Sequence, residues 1–221
     1  MHKKMPMRKH TTTQIIAKEG WNYSVVVLML FLCAYALSFF TVGFFLLLVA
    51  VLFFYRNPER VSEEEDAYAL IAPSDGKVTV ISKVTTRDGQ EWLRVVIQKR
   101  LSDVGSIRSP IAMYIVDVKK RFGLCFASTS PLSRTLGEKL VLTCKGAFGE
   151  MKMALYAGRF SHQIELFDTM VNLKPAQRMA FFYEGEVALL LPVDTRIKVV
   201  LHDEVKAGES VLGYFAQKAS E

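Results

Sequence analysis

The 221-residue chain has no Asp, Glu, Lys, Arg or His between residues 23 and 55. A wholly soluble protein does not fit this run, because about 20 apolar residues already suffice to cross a bilayer. Cysteine is also scarce. Its three copies, Cys33, Cys125 and Cys144, lack C-x-x-C spacing, which argues against a disulfide framework and a zinc ribbon. We expect all three to be packed thiols in a reducing compartment.

The uncharged run is too long for one ordinary span. At 1.5 Å per residue, residues 23–55 would form roughly 50 Å of helix against about 30 Å of hydrocarbon. A strongly tilted helix and a helical hairpin turning near residues 38–43 are the two alternatives. Basic residues stand on both sides, Lys18 before the run and Arg56 and Arg60 after it. This favours a transmembrane or re-entrant hairpin with both ends in the cytoplasm, and hence a location at the inner (cytoplasmic) membrane.

The net charge of +6 is concentrated near the N-terminus. Only Glu19 offsets five basic residues before the run: Lys3, Lys4, Arg8, Lys9 and Lys18. A basic tail without interleaved aromatics favours an anionic membrane surface over nucleic acid, so we expect no nucleic-acid partner. The acidic cluster at 63–66 is interpreted as a solvated linker, and no metal site is expected.

Beyond residue 66 the pattern changes to short apolar runs separated by Gly, Pro, Asp and Asn. These runs predict strands at 70–72, 78–81, 93–97, 113–118, 141–143, 151–155, 187–191 and 197–201. The predicted fold is therefore mainly β, a compact barrel or sandwich domain, with residues 130–138 as a loop. The predicted domains are a basic segment (1–22), a membrane hairpin (23–55), a linker (56–66) and the β domain (67–221).

Several motifs, in order, resemble those of the short, membrane-anchored phosphatidylserine decarboxylases of bacteria and archaea. They are FFYRNPER at 53–60, APSDGKV at 72–78, VGSIRSP at 104–110, LGEK at 136–139, AG at 157–158, RMAFFYEGEV at 178–187 with LP at 191–192, and DEVKAGE at 203–209. Each motif is weak alone, and their order and spacing make the resemblance fairly specific.

The resemblance implies a self-cleaving enzyme that uses an Asp, a His and a Ser. The Ser would attack the preceding carbonyl, and the cleaved chain would carry a pyruvoyl group that acts as the electron sink for decarboxylation. In this sequence the Asp matches Asp75, but Gly105 stands at the His position and Gly185 at the Ser position. A glycine has no hydroxyl, so we expect no pyruvoyl group and no other cofactor. Ser106 and His162 are weaker substitute candidates.

Each candidate functional residue also has a purely structural interpretation. Asp75 is either a surviving catalytic acid or, with Gly76, a turn that opens a strand. Arg56, Arg60 and Lys77 either hold a phospholipid head group or anchor the chain at the membrane interface.

We therefore expect a decarboxylase-related protein of phospholipid metabolism, inactive or atypical as an enzyme. An active decarboxylase that makes phosphatidylethanolamine is one alternative, and a membrane-anchored lipid- or partner-binding adaptor is the other. The expected partners are membrane phospholipid and either a second copy of the chain or an active decarboxylase.

Overall fold

A computed structural model describes residues 16–60, 62, 66–86, 89–124, 126, 131–146, 148–161, 163–167 and 172–216. A helical hairpin precedes a β domain, which confirms the predicted fold class. The strands, in chain order, are β1 (Ala69–Ile71), β2 (Gly76–Thr85), β3 (Glu91–Lys99), β4 (Ser106–Arg108), β5 (Met113–Arg121), β6 (Lys139–Gly146), β7 (Gly149–Ala157), β8 (Glu165–Leu166), β9 (Asn172–Leu173), β10 (Arg178–Phe181), β11 (Gly185–Leu191), β12 (Arg196–Ile197), β13 (Glu204–Val205) and β14 (Val211–Tyr214).

The hairpin consists of α1 (Lys18–Ala36) and α2 (Thr41–Phe54). At 1.5 Å per residue the helices are about 28 Å and 21 Å long. By length and composition α1 is able to cross a membrane, and α2 is a shorter apolar helix. The two ends meet where the Ala17 N–H donates to the Tyr55 carbonyl at 2.8 Å. Both ends of the hairpin therefore lie on one side of it.

The largest sheet has eight strands in the order β13-β2-β3-β11-β7-β6-β5-β9, with antiparallel neighbours. Two three-stranded sheets, β1-β14-β12 and β4-β10-β8, complete the domain. The eight-stranded sheet curls into a half-barrel. Its order places β11 between β3 and β7, so the start of β11 is enclosed by neighbours on both edges.

Alternation along β3 explains how the sheet forms its core. Leu93, Val95 and Ile97 are buried and belong to the main apolar cluster. Val96 points to the other face and packs with Ala154 and Ala188 in a second, smaller cluster. Apolar contact on both faces accounts for the almost uninterrupted apolar sequence of the central strands.

Three local expectations are wrong. The predicted loop at 130–138 contains a short helix, α3 (Pro131–Leu136), which begins at a proline; proline is favoured at the first helical position because its φ is preset. The predicted strand at 197–201 is represented only by Arg196–Ile197. Cys144 is buried as expected, but Cys33 is exposed on α1. Cys125 and residues 63–65 lie outside the described residues.

Candidate functional site

Asp75 lies in the turn that leads into β2, and both of its carboxylate oxygens are bound. The two terminal nitrogens of Arg60 contact it, Nη1 at Oδ1 and Nη2 at Oδ2, the latter at 2.9 Å. The backbone N–H of Ala207 donates to Oδ1 at 2.8 Å, and that of Val104 to Oδ2 at 3.4 Å. One carboxylate therefore joins the segment after the hairpin, the segment before β4 and the C-terminal segment.

Burial alone would raise the pKa of Asp75, because an ionised carboxylate loses hydration inside a protein. The hydrogen bonds from Arg60, Ala207 and Val104 outweigh burial and hold the pKa of this carboxyl below its ordinary value. For Arg60, burial opposes the charged form, and the hydrogen bond with Asp75 leaves the guanidinium pKa raised overall. The two groups therefore form a stable buried ion pair at neutral pH.

Gly105 lies one residue beyond Val104 and directly against an aromatic ring. A Cβ atom added at Gly105 would lie 2.4 Å from the Phe181 ring, well inside contact distance. The Gly105 carbonyl accepts a hydrogen bond from the Phe182 N–H at 3.1 Å. Phe181 in turn stacks on Tyr55, with ring centroids 5.8 Å apart. The space for a side chain at position 105 is thus filled by a ring that the end of the hairpin holds.

Gly185 begins β11 with a φ of 149°, a conformation that favours glycine. A Cβ atom added there would lie 2.0 Å from the backbone carbonyl oxygen of Tyr156. A backbone atom in a central strand pair cannot move aside as a flexible side chain can. The two residues that flank Gly185 in sequence, Glu184 and Glu186, have no hydroxyl. None of residues 184–186 therefore carries a serine-like nucleophile.

Lys99 is a buried residue that motif reasoning missed. Its side chain is fully buried at the end of β3, opposite Gly185 in the β3–β11 pair. The ammonium donates to the Asp103 carbonyl at 3.2 Å. Burial lowers the pKa of Lys99 to about 8, although the charges of Asp103 and Asp75 oppose the shift. The spacing along β3 could have predicted this burial, because Lys99 continues the inward-facing positions 93, 95 and 97.

Two further contacts attach the hairpin to the β domain. Glu19, in the first turn of α1, forms an ion pair with Arg178 at 3.1 Å, and each side chain is 13% exposed. The hydroxyl of Tyr183 donates to that of Tyr55. The hairpin is therefore fixed beside the turn that carries Gly185, through contacts that the sequence did not predict.

The predicted lipid-binding cations contact different groups. Arg56 donates to the Phe53 and Ser102 carbonyls at 3.0 and 2.6 Å. Arg60 is engaged by Asp75, as described above. Lys77 lies on β2, where its register partners are Gln98 and Glu204. Arg56 alone of the three lies at the end of the hairpin, where a bilayer surface would be.

Of the two weaker candidates, only Ser106 lies within the described residues. Ser106 is buried, and its hydroxyl donates to the Asn57 side chain at 3.3 Å. His162 lies outside the described residues. Within the described ranges no group of three or more His, Cys, Asp or Glu could hold a metal ion. An open pocket of about 430 Å³ beside Trp92 and Pro192 lies at the other end of the β3–β11 pair from Lys99 and Gly185.

Comparison with known proteins connects this geometry to the motifs. The family model described as phosphatidylserine decarboxylase matches residues 47–213. A phosphatidylserine decarboxylase proenzyme of Desulfotalea psychrophila is 32% identical over 209 residues, covering 90% of this chain and 95% of the relative. One from Burkholderia ambifaria is 28% identical, covering 92% and 97%. One from Geobacter sp. strain M21 is 31% identical, covering 77% and 79%.

Proposed function

Because the chain belongs to the phosphatidylserine decarboxylase family, we propose that it is a membrane-held, phospholipid-binding member that does not cleave itself. Family membership supports a place in phospholipid metabolism. In this proposal the chain keeps the scaffold that receives a phospholipid and lacks the means to make its own carbonyl cofactor. Fold does not confer an activity when the reacting groups are absent.

The observation that carries the proposal is the packing around Gly185. Self-cleavage needs a side-chain oxygen that attacks the preceding carbonyl carbon and converts an amide into an ester. A Cβ at 185 would meet the Tyr156 carbonyl oxygen at 2.0 Å, so the surrounding backbone has no room for a serine there. Gly105 supports the same conclusion, because the Phe181 ring occupies the space that a histidine would need.

The pyruvoyl group does not fit the residues present at this turn. Residues 184–186 read Glu-Gly-Glu and contain no hydroxyl or thiol that could start the rearrangement. We therefore propose that the chain remains one polypeptide and uses no pyruvoyl cofactor. In that state Asp75 has a structural role, as the partner of Arg60.

The proposed location is the inner membrane, with the β domain on the cytoplasmic side. Both ends of the hairpin meet at Ala17 and Tyr55, which supports a single side for everything outside the apolar helices. Basic residues on both flanks support the cytoplasmic side. The proposed partners are anionic phospholipid and either a second copy of the chain or an active decarboxylase.

Intact-mass spectrometry of the protein from its own cells tests the central claim. We expect one species at 25.0 kDa and no reaction with a carbonyl-specific hydrazide probe. A self-cleaving relative, purified in the same way, is the positive control for both readouts. Two fragments, with the probe on the N-terminus of the smaller one, would contradict the proposal.

Lipid binding is tested separately with full-length protein in nanodiscs. Native mass spectrometry of ejected complexes, with phosphatidylserine and phosphatidylcholine supplied at equal amounts, reports which lipid is retained. We expect retained phosphatidylserine to exceed phosphatidylcholine. Equal retention of the two lipids would refute the binding claim while leaving the cleavage result intact.

A further inference from the structure

Four large apolar side chains are exposed at the end of the β domain that carries the Gly185 turn. Phe122, Leu124, Leu136 and Phe160 are 74%, 67%, 54% and 59% exposed. Monomeric soluble proteins rarely leave a contiguous apolar patch of this kind open unless it meets a partner or a membrane.

Backbone contacts bring together the three segments that carry these four side chains. The Leu124 N–H donates to the Leu136 carbonyl at 3.1 Å, which joins the segment after β5 to α3. The Ala157 N–H donates to the Glu138 carbonyl at 3.1 Å, which joins the segment just after α3 to the end of β7, three residues before Phe160. Lys120, which pairs with Glu138 at 3.2 Å, lies over the Phe122 ring at 4.9 Å.

Three arginines belong to the segments that carry this apolar set, and the carboxylates of Glu184 and Glu186 lie beside the same segments. Arg121, Arg134 and Arg159 are exposed. Arg121 donates to the Arg134 and Gly137 carbonyls at 3.3 and 3.1 Å, so its cation stays beside α3. Of the three, Arg134 has an ion-pair partner, Glu186, at 2.9 Å. We call the four apolar side chains and these three arginines the end surface.

The end surface continues directly into the attachment of the hairpin. Tyr183 bonds the Tyr55 hydroxyl at the end of α2. The next residue, Glu184, accepts the Phe160 N–H at 3.3 Å. Tyr183 therefore contacts the hairpin, and the residue directly after it, Glu184, contacts the end surface. A bilayer that holds the hairpin would lie against this part of the domain.

From these contacts we propose that the end surface lies in the interfacial layer of an anionic phospholipid bilayer. Phe122, Leu124, Leu136 and Phe160 enter the boundary between head groups and acyl chains, and the arginines contact lipid phosphates. The proposal rests on the membrane association in the proposed function and adds a second contact beyond the hairpin. It turns the Gly185 turn towards lipid, so a head group would reach it from the membrane and not from solution.

Site-directed fluorescence in nanodiscs tests the placement with the full-length chain. The three native cysteines are replaced by alanine, and single cysteines at Leu124, Phe160 or Val200 carry an environment-sensitive dye. Val200 is the matched control, since it is 63% exposed and apolar but lies beside β2, several strands from β5. A further label at Leu37, 77% exposed at the hairpin tip, reports the hairpin itself.

In nanodiscs of phosphatidylglycerol and phosphatidylcholine, we expect blue-shifted emission at Leu124 and Phe160, with strong quenching by lipids that carry a doxyl group high in the acyl chain. Val200 should show neither effect. Quenching at Leu124 and Phe160 no greater than at Val200 would overturn the proposal. A blue shift without quenching would also overturn it, because it would mean that protein, such as a second copy, covers the surface.

The hairpin label separates the two possible failures. Quenching at Leu37 without quenching at Phe160 leaves membrane association in place and refutes only the end-surface contact. No quenching at either position refutes both. As a test of the charge contribution, Arg159→Gln should reduce quenching at Phe160 in anionic nanodiscs, whereas Lys83→Gln, an exposed change on β2, should not. Equal effects of the two variants would contradict the role of the arginines.

Discussion

Lys99 lies directly opposite Gly185 in the antiparallel pair of β3 and β11. A fully buried amine therefore stands beside a backbone position that has no side chain. Burying a cation costs free energy. The Lys99 ammonium donates a hydrogen bond to the main-chain carbonyl of Asp103, which offsets part of that cost.

Replacing Lys99 should stabilise the protein. The pKa of Lys99 is lowered to about 8 in the folded state, from 10.5. Below pH 8 the amine is charged in both states, so the fold bears the full penalty of roughly 3 kcal/mol. The penalty disappears as pH rises from 8 to 10.5, so the free energy of unfolding should rise across this window. The Lys99→Met variant should be more stable than the wild type at neutral pH. Its free energy of unfolding should no longer increase between pH 8 and 10.5.

Urea unfolding in detergent, followed by fluorescence at several pH values, measures the effect of Lys99. Lys83→Met on the exposed side of β2 is the control and should leave the pH dependence unchanged. An identical pH profile in wild type and Lys99→Met would show that Lys99 does not titrate in this window.

Breaking the Asp75–Arg60 pair should be strongly destabilising. Asp75→Asn leaves the Arg60 guanidinium, 13% exposed, without its carboxylate, at a cost of about 3 kcal/mol. The folded pKa of Asp75 lies below the unfolded value, so its contribution is present above about pH 4 and is lost as pH falls further. Unfolding free energies of wild type and Asp75→Asn should therefore converge in acid.

The exposed pair Arg100–Glu204 provides the comparison for Asp75. Its side chains are 56% and 74% exposed, so Glu204→Gln should cost less than about 1 kcal/mol. If the two substitutions had similar effects, the buried pair would not hold the three segments together as described.

Gly185→Ala should cost more than an alanine at another glycine with positive φ. Gly149 has a φ of 107° and no atom within 4 Å of an added Cβ, so Gly149→Ala measures the conformational cost alone, about 1 kcal/mol. Gly185→Ala adds the clash with the Tyr156 carbonyl, about 1–3 kcal/mol more. Equal denaturation midpoints for the two variants would contradict the packing argument.

The contact between Gly105 and Phe181 should appear as coupling in a double-mutant cycle. Gly105→Ala should destabilise the protein because the new methyl group meets the Phe181 ring. Phe181→Leu removes the outer ring atoms, so the double variant should be more stable than the sum of the single effects, by about 1 kcal/mol. Additive free energies of unfolding would show that the ring moves aside freely.

The sequence predicts the central strands well because their periodicity and their burial coincide. Residues 93–97 are apolar except for Arg94, residues 187–191 are all apolar, and both are strands in the sheet core. The helix at 131–136 escapes prediction because a six-residue helix has too few positions to show a period. Local pattern also gives no sign of the Glu19–Arg178 pair, whose members are 159 residues apart.

The candidate site is predictable in its motifs and not in its packing. Motif order identifies Asp75, Gly105 and Gly185, and the fold joins the segments that carry them through direct contacts. The partners that define the site, Arg60 for Asp75 and Phe181 for Gly105, depend on tertiary contacts. Lys99 follows the inward spacing of β3, but a lysine at such a position is ordinarily assigned to the surface.

The hydrogen bond between Ala17 and Tyr55 makes the two apolar helices topologically an insertion. Removing residues 18–54 would leave chain ends that already touch, so a short glycine-containing turn could rejoin them without stretching either side. The shortened protein would lose most of its exposed apolar side chains and keep every strand of the β domain. The deletion would also remove Glu19, the ion-pair partner of Arg178, so the rejoined β domain would keep its sheets but lose that contact.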